Sequence, residues 1–163
     1  VLVMSFGINR LSATAAQALF WAFAAAMGLS LSYIFVVYTG ASIARTFFIT
    51  AATFGALSLY GYTTKRDLSG FGTFLFMGLI GLIIASLVNI FLQSTQLEWI
   101  VSIVGVGIFA GLTAYDTQRI REMYFAGEGQ ESRSKKIVLA ALSLYLDFIN
   151  MFLFLLRFLG SRE

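Results

Sequence analysis

Long apolar runs alternate with short polar breaks along this chain, and the breaks mark out its elements. The apolar runs cover about Ala16 to Val37, Ile43 to Tyr62, Phe71 to Leu92, Trp99 to Ile120 and Leu139 to Leu159. Each has the roughly 17–25 residues a helix needs to cross a bilayer, and none shows the strict alternation of a barrel strand. The expected fold class is therefore all-α, a polytopic membrane helix bundle with five complete spans in a single domain over residues 1–163. Val1 to about Ile8 reads as the last turns of a further, truncated span, and Asn9-Arg10-Leu11-Ser12 as the connection after it.

Within the runs, small and hydroxyl residues suggest where helices approach. Ala22, Ala24, Ala26 and Gly28 recur on the first complete span, and Gly107 to Gly111 is a GxxxG on the fourth. Both patterns permit close helix packing, although GxxxG alone is a weak motif. Trp21 and Tyr38 are placed as interfacial aromatics. Thr46, Thr50, Thr53 and Ser58 are expected to bond back to their own helix, with a polar pathway as the sharper alternative. Asn89 is expected to be interhelical hydrogen-bond glue. Glu131 to Lys136 reads as a charged lead into the last helix.

The breaks alternate in charge. The Arg10 connection, the Lys65-Arg66 loop and the loop from Arg119 to Lys136 are basic, whereas the Thr39 and Gln93 connections are nearly uncharged and only Arg45 dissents. The basic side is expected to be cytoplasmic. The C-terminus then lies on the opposite side, despite Arg157 and Arg162.

Composition narrows the function classes. The chain is 59% hydrophobic and 12% charged with mean hydropathy +0.86, too apolar for a soluble domain of its size. Its formal charge of +3 is carried by loops and helix ends, which suits membrane orientation and gives no nucleic-acid footprint. With no cysteine, disulfides and thiolate metal sites are excluded. With no histidine, a proton switch near neutral pH has to use carboxylates.

Two acids stand out. Asp147 lies about ten residues into the last apolar helix and Asp116 about eight residues before the end of the preceding one. At 1.5 Å per residue both are roughly 12–15 Å from the shared loop, so they can sit at one depth. An ionised carboxylate there costs roughly 2.5–3.5 kcal/mol on insertion scales, so each needs a partner or a proton. Asp147 shares a face with Asn150 and Phe154, and Asp116 one with Thr113. Two adjacent carboxylates cannot both ionise cheaply in a low dielectric, so the pair is expected to share a proton and to act as a proton-sensitive latch. Ionised, it repels or attracts a hard cation such as Ca²⁺, for which two aspartates make a weak site at most. A cation such as Arg10 would favour the ionised form of a nearby aspartate; by itself Arg10 equally suits a snorkelling or positive-inside residue. The plainer alternative has each aspartate bonded separately and fixing helix packing. An intramembrane aspartyl protease would fit Tyr115-Asp116, but Leu144-Tyr145-Leu146-Asp147 stands where a Gly-x-Gly-Asp setting is needed. No serine-glycine elbow, phosphate loop or metal-ligand spacing occurs elsewhere, so the chain is expected not to be an enzyme and to need no cofactor.

The segments Ala114-Tyr115-Asp116-Thr117-Gln118 and Leu142 to Asn150 (LSLYLDFIN) resemble the signature of the Bax inhibitor, or transmembrane Bax-inhibitor-motif, family in its bacterial branch. Gly61 to Ser69 resembles its mid-chain loop. The resemblance implies a seven-helix bundle with the last helix central, in the bacterial inner membrane. It also implies a pH-sensitive calcium leak gated by a di-aspartyl pair that falls on Asp116 and Asp147, with Arg10 at the place of a latch to the first aspartate. Membrane lipid and Ca²⁺ or another cation are the implied partners. The alternative function carried by some bacterial relatives is an interaction protein that modulates a membrane-bound quality-control protease.

Overall fold

The computed structural model describes residues 12–123 and 130–160. Among these residues the regular elements are helices: α1 (Ala13–Ser30), a 3₁₀ turn (Leu31–Tyr33), α2 (Ile34–Val37), α3 (Gly40–Thr63), α4 (Ser69–Leu92), α5 (Thr95–Met123) and α6 (Gln130–Leu159). Five stretches are long and apolar enough to cross a membrane, α1 continuing through α2 as one of them. The expected all-α bundle with five complete spans is thus what the chain forms. The end of the further span, Val1 to about Ile8, lies outside the described residues, as do Arg10 and Arg162.

The first span is not one uninterrupted helix. Ser32 Oγ donates to the Leu29 carbonyl at 2.7 Å, and the chain tightens into a 3₁₀ turn at that point. A serine hydroxyl competing for backbone carbonyls inside an apolar helix accounts for the irregularity. At the other end of the chain, the charged lead before Ile137 is itself helical, because α6 starts at Gln130. Glutamate, arginine and lysine are good helix formers, so charge marked the membrane boundary there and not the helix boundary.

α5 and α6 form the centre. α5 packs against α3, α4 and α6, and α6 packs against α1, α3 and α5. Of the apolar stretch of α5, 39% is buried, against 6% for α4, whose Phe74, Phe76, Ile83 and Phe91 face outward as lipid-facing residues do. Leu82, Val101, Ile108, Phe109 and Met151 form the core between α4, α5 and α6. Phe47 and Phe54 of α3 meet Phe148 edge-on, at ring-centroid distances of 5.7 and 5.4 Å.

Close approach uses one glycine of the GxxxG, Gly111, and several outside it. A Cβ on Gly61 would collide with the Ala114 carbonyl, and one on Gly72 would fall 2.5 Å from the Tyr115 ring. Gly105 faces Phe154 and Gly111 faces Leu75, whereas Gly107 has open space around it. Of the small residues expected to pack on α1, Ala22, Ala26 and Gly28 are exposed and Ala24 is half-buried, and a Cβ on Gly28 would have open space around it. α1 docks through Ala16, Leu19, Phe20 and Phe23 against Val138, Leu142 and Leu146.

Two further expectations are corrected. Tyr38 is not an interfacial anchor but a core residue, packed with Ile34, Phe152 and Leu156. Asn89 does not bridge helices: its Oδ1 accepts from Ser94 N at 3.0 Å and closes the turn after α4. That turn is only Gln93 and Ser94, with Gln93 in the left-handed region at φ 50°. Ser94 then caps α5, its Oγ accepting from Leu97 N at 3.2 Å.

Candidate functional site

The turn Ala114 to Gln118 on α5 is where the bundle converges. Ala114 meets α3 through Gly61, Tyr115 meets α4 through Gly72, and Asp116 meets α6. Thr113 and Thr117 return their hydroxyls to their own helix, donating to the Phe109 and Thr113 carbonyls at 2.8 and 2.7 Å. Asn150 does the same on α6, its Nδ2 donating to the Leu146 carbonyl at 2.8 Å. The neighbours expected to share a polar face with the aspartates are therefore locally satisfied, and the carboxyls are left to one another.

Asp116 and Asp147 come together. Asp116 lies against α6 beside Ser143, one turn before Asp147, close enough for the two carboxyls to act on one another across the α5–α6 seam. Asp147 is only 4% exposed, and its Oδ2 has no hydrogen-bond partner. Asp116 is half-buried and lines a cavity of about 50 Å³ with Arg119, Ser143 and three apolar residues, which is room for water. One carboxyl is thus sealed and the other borders a cavity with room for water. An ionised carboxylate only accepts, so a hydrogen bond between the two requires a proton on one of them.

Among the described residues, no group of three or more His, Cys, Asp or Glu could hold a metal ion. The pair supplies far fewer oxygens than the six to eight that Ca²⁺ takes. Of the α3 hydroxyls, Thr50 and Thr53 bond back as expected, to Thr46 and Ile49 carbonyls, while Thr46 Oγ1 and Ser58 Oγ are buried without a partner. At the far end of the bundle a cavity of about 460 Å³ is lined by Tyr33, Tyr38, Ser86, Asn89, Glu98 and Arg157, among others.

Gln118, which in the sequence only ends the signature segment, has a role of its own in the structure. It is 3% exposed, accepts from Leu68 N at 2.8 Å and donates Nε2 to the Arg66 carbonyl at 2.5 Å. Arg121 donates to the Tyr62 carbonyl beside it. The α3–α4 loop is tied to α5 by these bonds. A signal was present, since Gln118 falls about 200° round the helix from Asp116 and so had to face something else.

Fold and site define a polytopic membrane protein with a carboxyl pair between its two central helices. The sequence profile of the family described as inhibitor of apoptosis-promoting Bax1 matches residues 1–163, and the chain belongs to that Bax inhibitor family. It is 56% identical over 168 residues to inner membrane protein YbhL of Escherichia coli (strain K12), covering all of this chain and 70% of that one. An uncharacterized protein of Rickettsia prowazekii is 55% identical over 157 residues, 96% of this chain and 66% of its own length. An uncharacterized membrane protein of Streptococcus pyogenes is 41% identical over 157 residues, 96% of this chain and 68% of its own. The chain thus spans about two thirds of the length of these relatives.

Proposed function

We propose that the protein is a pH-sensitive cation leak, with Ca²⁺ as the preferred cargo, gated by Asp116 and Asp147. The observation that carries this is the contact of the two carboxyls with Asp147 Oδ2 unpartnered in an apolar seam. With one proton between them the carboxyls bond, and α5 and α6 are held shut. When that proton leaves, two negative charges face each other in a low dielectric, repel, and present oxygens to a cation. Flux therefore rises as pH rises. The E. coli relative is named an inner membrane protein, and we place this chain in the bacterial inner membrane on the same reading.

The test is calcium flux against pH for the full-length protein in proteoliposomes, with Asp116→Asn and Asp147→Asn. Asparagine stays neutral and can donate, so each variant mimics the closed latch and flux is expected to be low and flat with pH. Wild-type pH dependence in both variants would sink the gating proposal. No cation flux from the wild type, with a membrane protease co-purifying, would replace it with the interaction-protein reading.

A further inference from the structure

We infer that Gln118 is the positioning residue of this gate: its two bonds to the Thr64–Leu68 loop hold the α5 turn at the level and rotation that aim Asp116 at Asp147. The inference rests on the gating reading for its consequence, but its geometry stands alone. Both bonds cross a sequence separation of fifty residues or more and end on backbone atoms of one loop, so Gln118 reads the position of that loop and not of any side chain. Leu68 is buried, and its carbonyl accepts from Phe71 N and Gly72 N at 3.0 and 3.2 Å, so the residue tied to Gln118 is also the start of α4.

The remaining contacts make the tie rigid. Gly61 against Ala114 and Gly72 against Tyr115 block sideways movement of the same turn, and neither glycine has room for a methyl group. Asp116 and Gln118 project from opposite sides of α5, so holding the back of the turn to the loop fixes the front toward α6. Of the other charged groups, Arg119 lines the Asp116 cavity, Arg121 bonds the Tyr62 carbonyl with Glu122 next to it in sequence, and Lys65, Arg66 and Asp67 lie in the loop, while Arg45 is near the opposite end of α3 and Lys135 and Lys136 near the start of α6. α1 and α4 carry none. Replacing Gln118 by leucine keeps bulk while leaving the Leu68 N–H and Arg66 carbonyl without their partner.

The experiment compares Gln118→Leu and the milder Gln118→Glu with wild type in the full-length protein. Two readouts are taken: the ratio of calcium flux at neutral to acid pH, and the infrared band of the protonated carboxyl that Asp147→Asn removes. In Gln118→Leu the flux ratio is expected to collapse several-fold through a raised leak at acid pH, and the band to shift. Gln118→Glu keeps the acceptor for Leu68 N and should lie between. If the wild type shows pH-dependent flux and both variants keep its profile, the positioning role is refuted. If the wild type shows no flux, the gating reading fails alone, and an unshifted band in both variants then refutes the positioning role. Should Gln118→Leu not fold, Gln118→Glu decides on the same two readouts.

Discussion

Gly61 faces the carbonyl oxygen of Ala114 so closely that an added Cβ would collide with it, two residues before Asp116, so α3 meets α5 within one turn of the aspartate pair. An added methyl group has nowhere to go, because what it meets is backbone. Gly61→Ala is expected to destabilise the protein by about 1–3 kcal/mol, the usual range for overpacking. Gly107→Ala, which meets open space, should gain about 0.5–1 kcal/mol from helix propensity alone. Unfolding of both variants in one detergent decides whether these glycines matter by contact or by spacing.

Gln93 pays for the shortness of the α4–α5 turn. Its left-handed backbone, φ 50° and ψ 38°, is disfavoured for a residue with a Cβ, and its amide bonds to the Asn89 carbonyl at 2.7 Å whichever side chain it carries. Gln93→Gly should therefore stabilise by about 1 kcal/mol. An unchanged or lower melting temperature would show that the glutamine side chain makes a compensating contact.

Asp67 starts α4 from the loop. Its Oδ1 accepts from Ser69 Oγ at 2.6 Å and from Ser69 N at 3.0 Å, and these bonds hold the carboxyl below its ordinary value of 3.8. A depressed value means the folded state favours the ionised form, so the stabilisation is present above 3.8 and is lost as pH falls through the lower folded value. Asp67→Ala should melt earlier than wild type at neutral pH, with the difference shrinking in strong acid. A difference independent of pH would assign the effect to something other than this charge.

Arg10 carries the latch role by resemblance. If it latches onto Asp116 and so holds that helix in the closed bundle, Arg10→Ala should raise the basal calcium leak of the reconstituted full-length protein. An unchanged leak would return Arg10 to the role of a positive-inside residue.

Much of this architecture is legible from hydropathy. The five spans are set by apolar runs bounded by charge, and the two aspartates are conspicuous because ionisable groups inside such runs are rare and costly. Counting back to the shared loop puts the aspartates at one depth only when it starts from Ile137; α6 begins at Gln130, which sets Asp147 farther along its helix from the loop than Asp116 is along α5. Rotation is not legible either, because a helix that is apolar on every side gives no preferred face, and which glycines touch a neighbour depends on rotation. That is why Gly107 was the wrong glycine and Gly61 and Gly72 were overlooked. Asn89 and Tyr38 were misplaced for a related reason: a polar or amphipathic side chain near a span end suits a local turn, a core or an interface equally well.

The two-residue turn at Gln93 and Ser94 bears on biosynthesis. The backbone and side-chain bonds that close it run among Asn89, Gln93, Ser94, Leu97 and the Glu98 amide, so α4 and α5 can enter the bilayer together as a hairpin while the chain is still emerging. Asp116 then waits nearer the end of its span, within a turn of Arg119. Asp147, the more deeply buried acid, is delivered later by α6. The side chain that is hardest to insert thus arrives after its counterpart is in place.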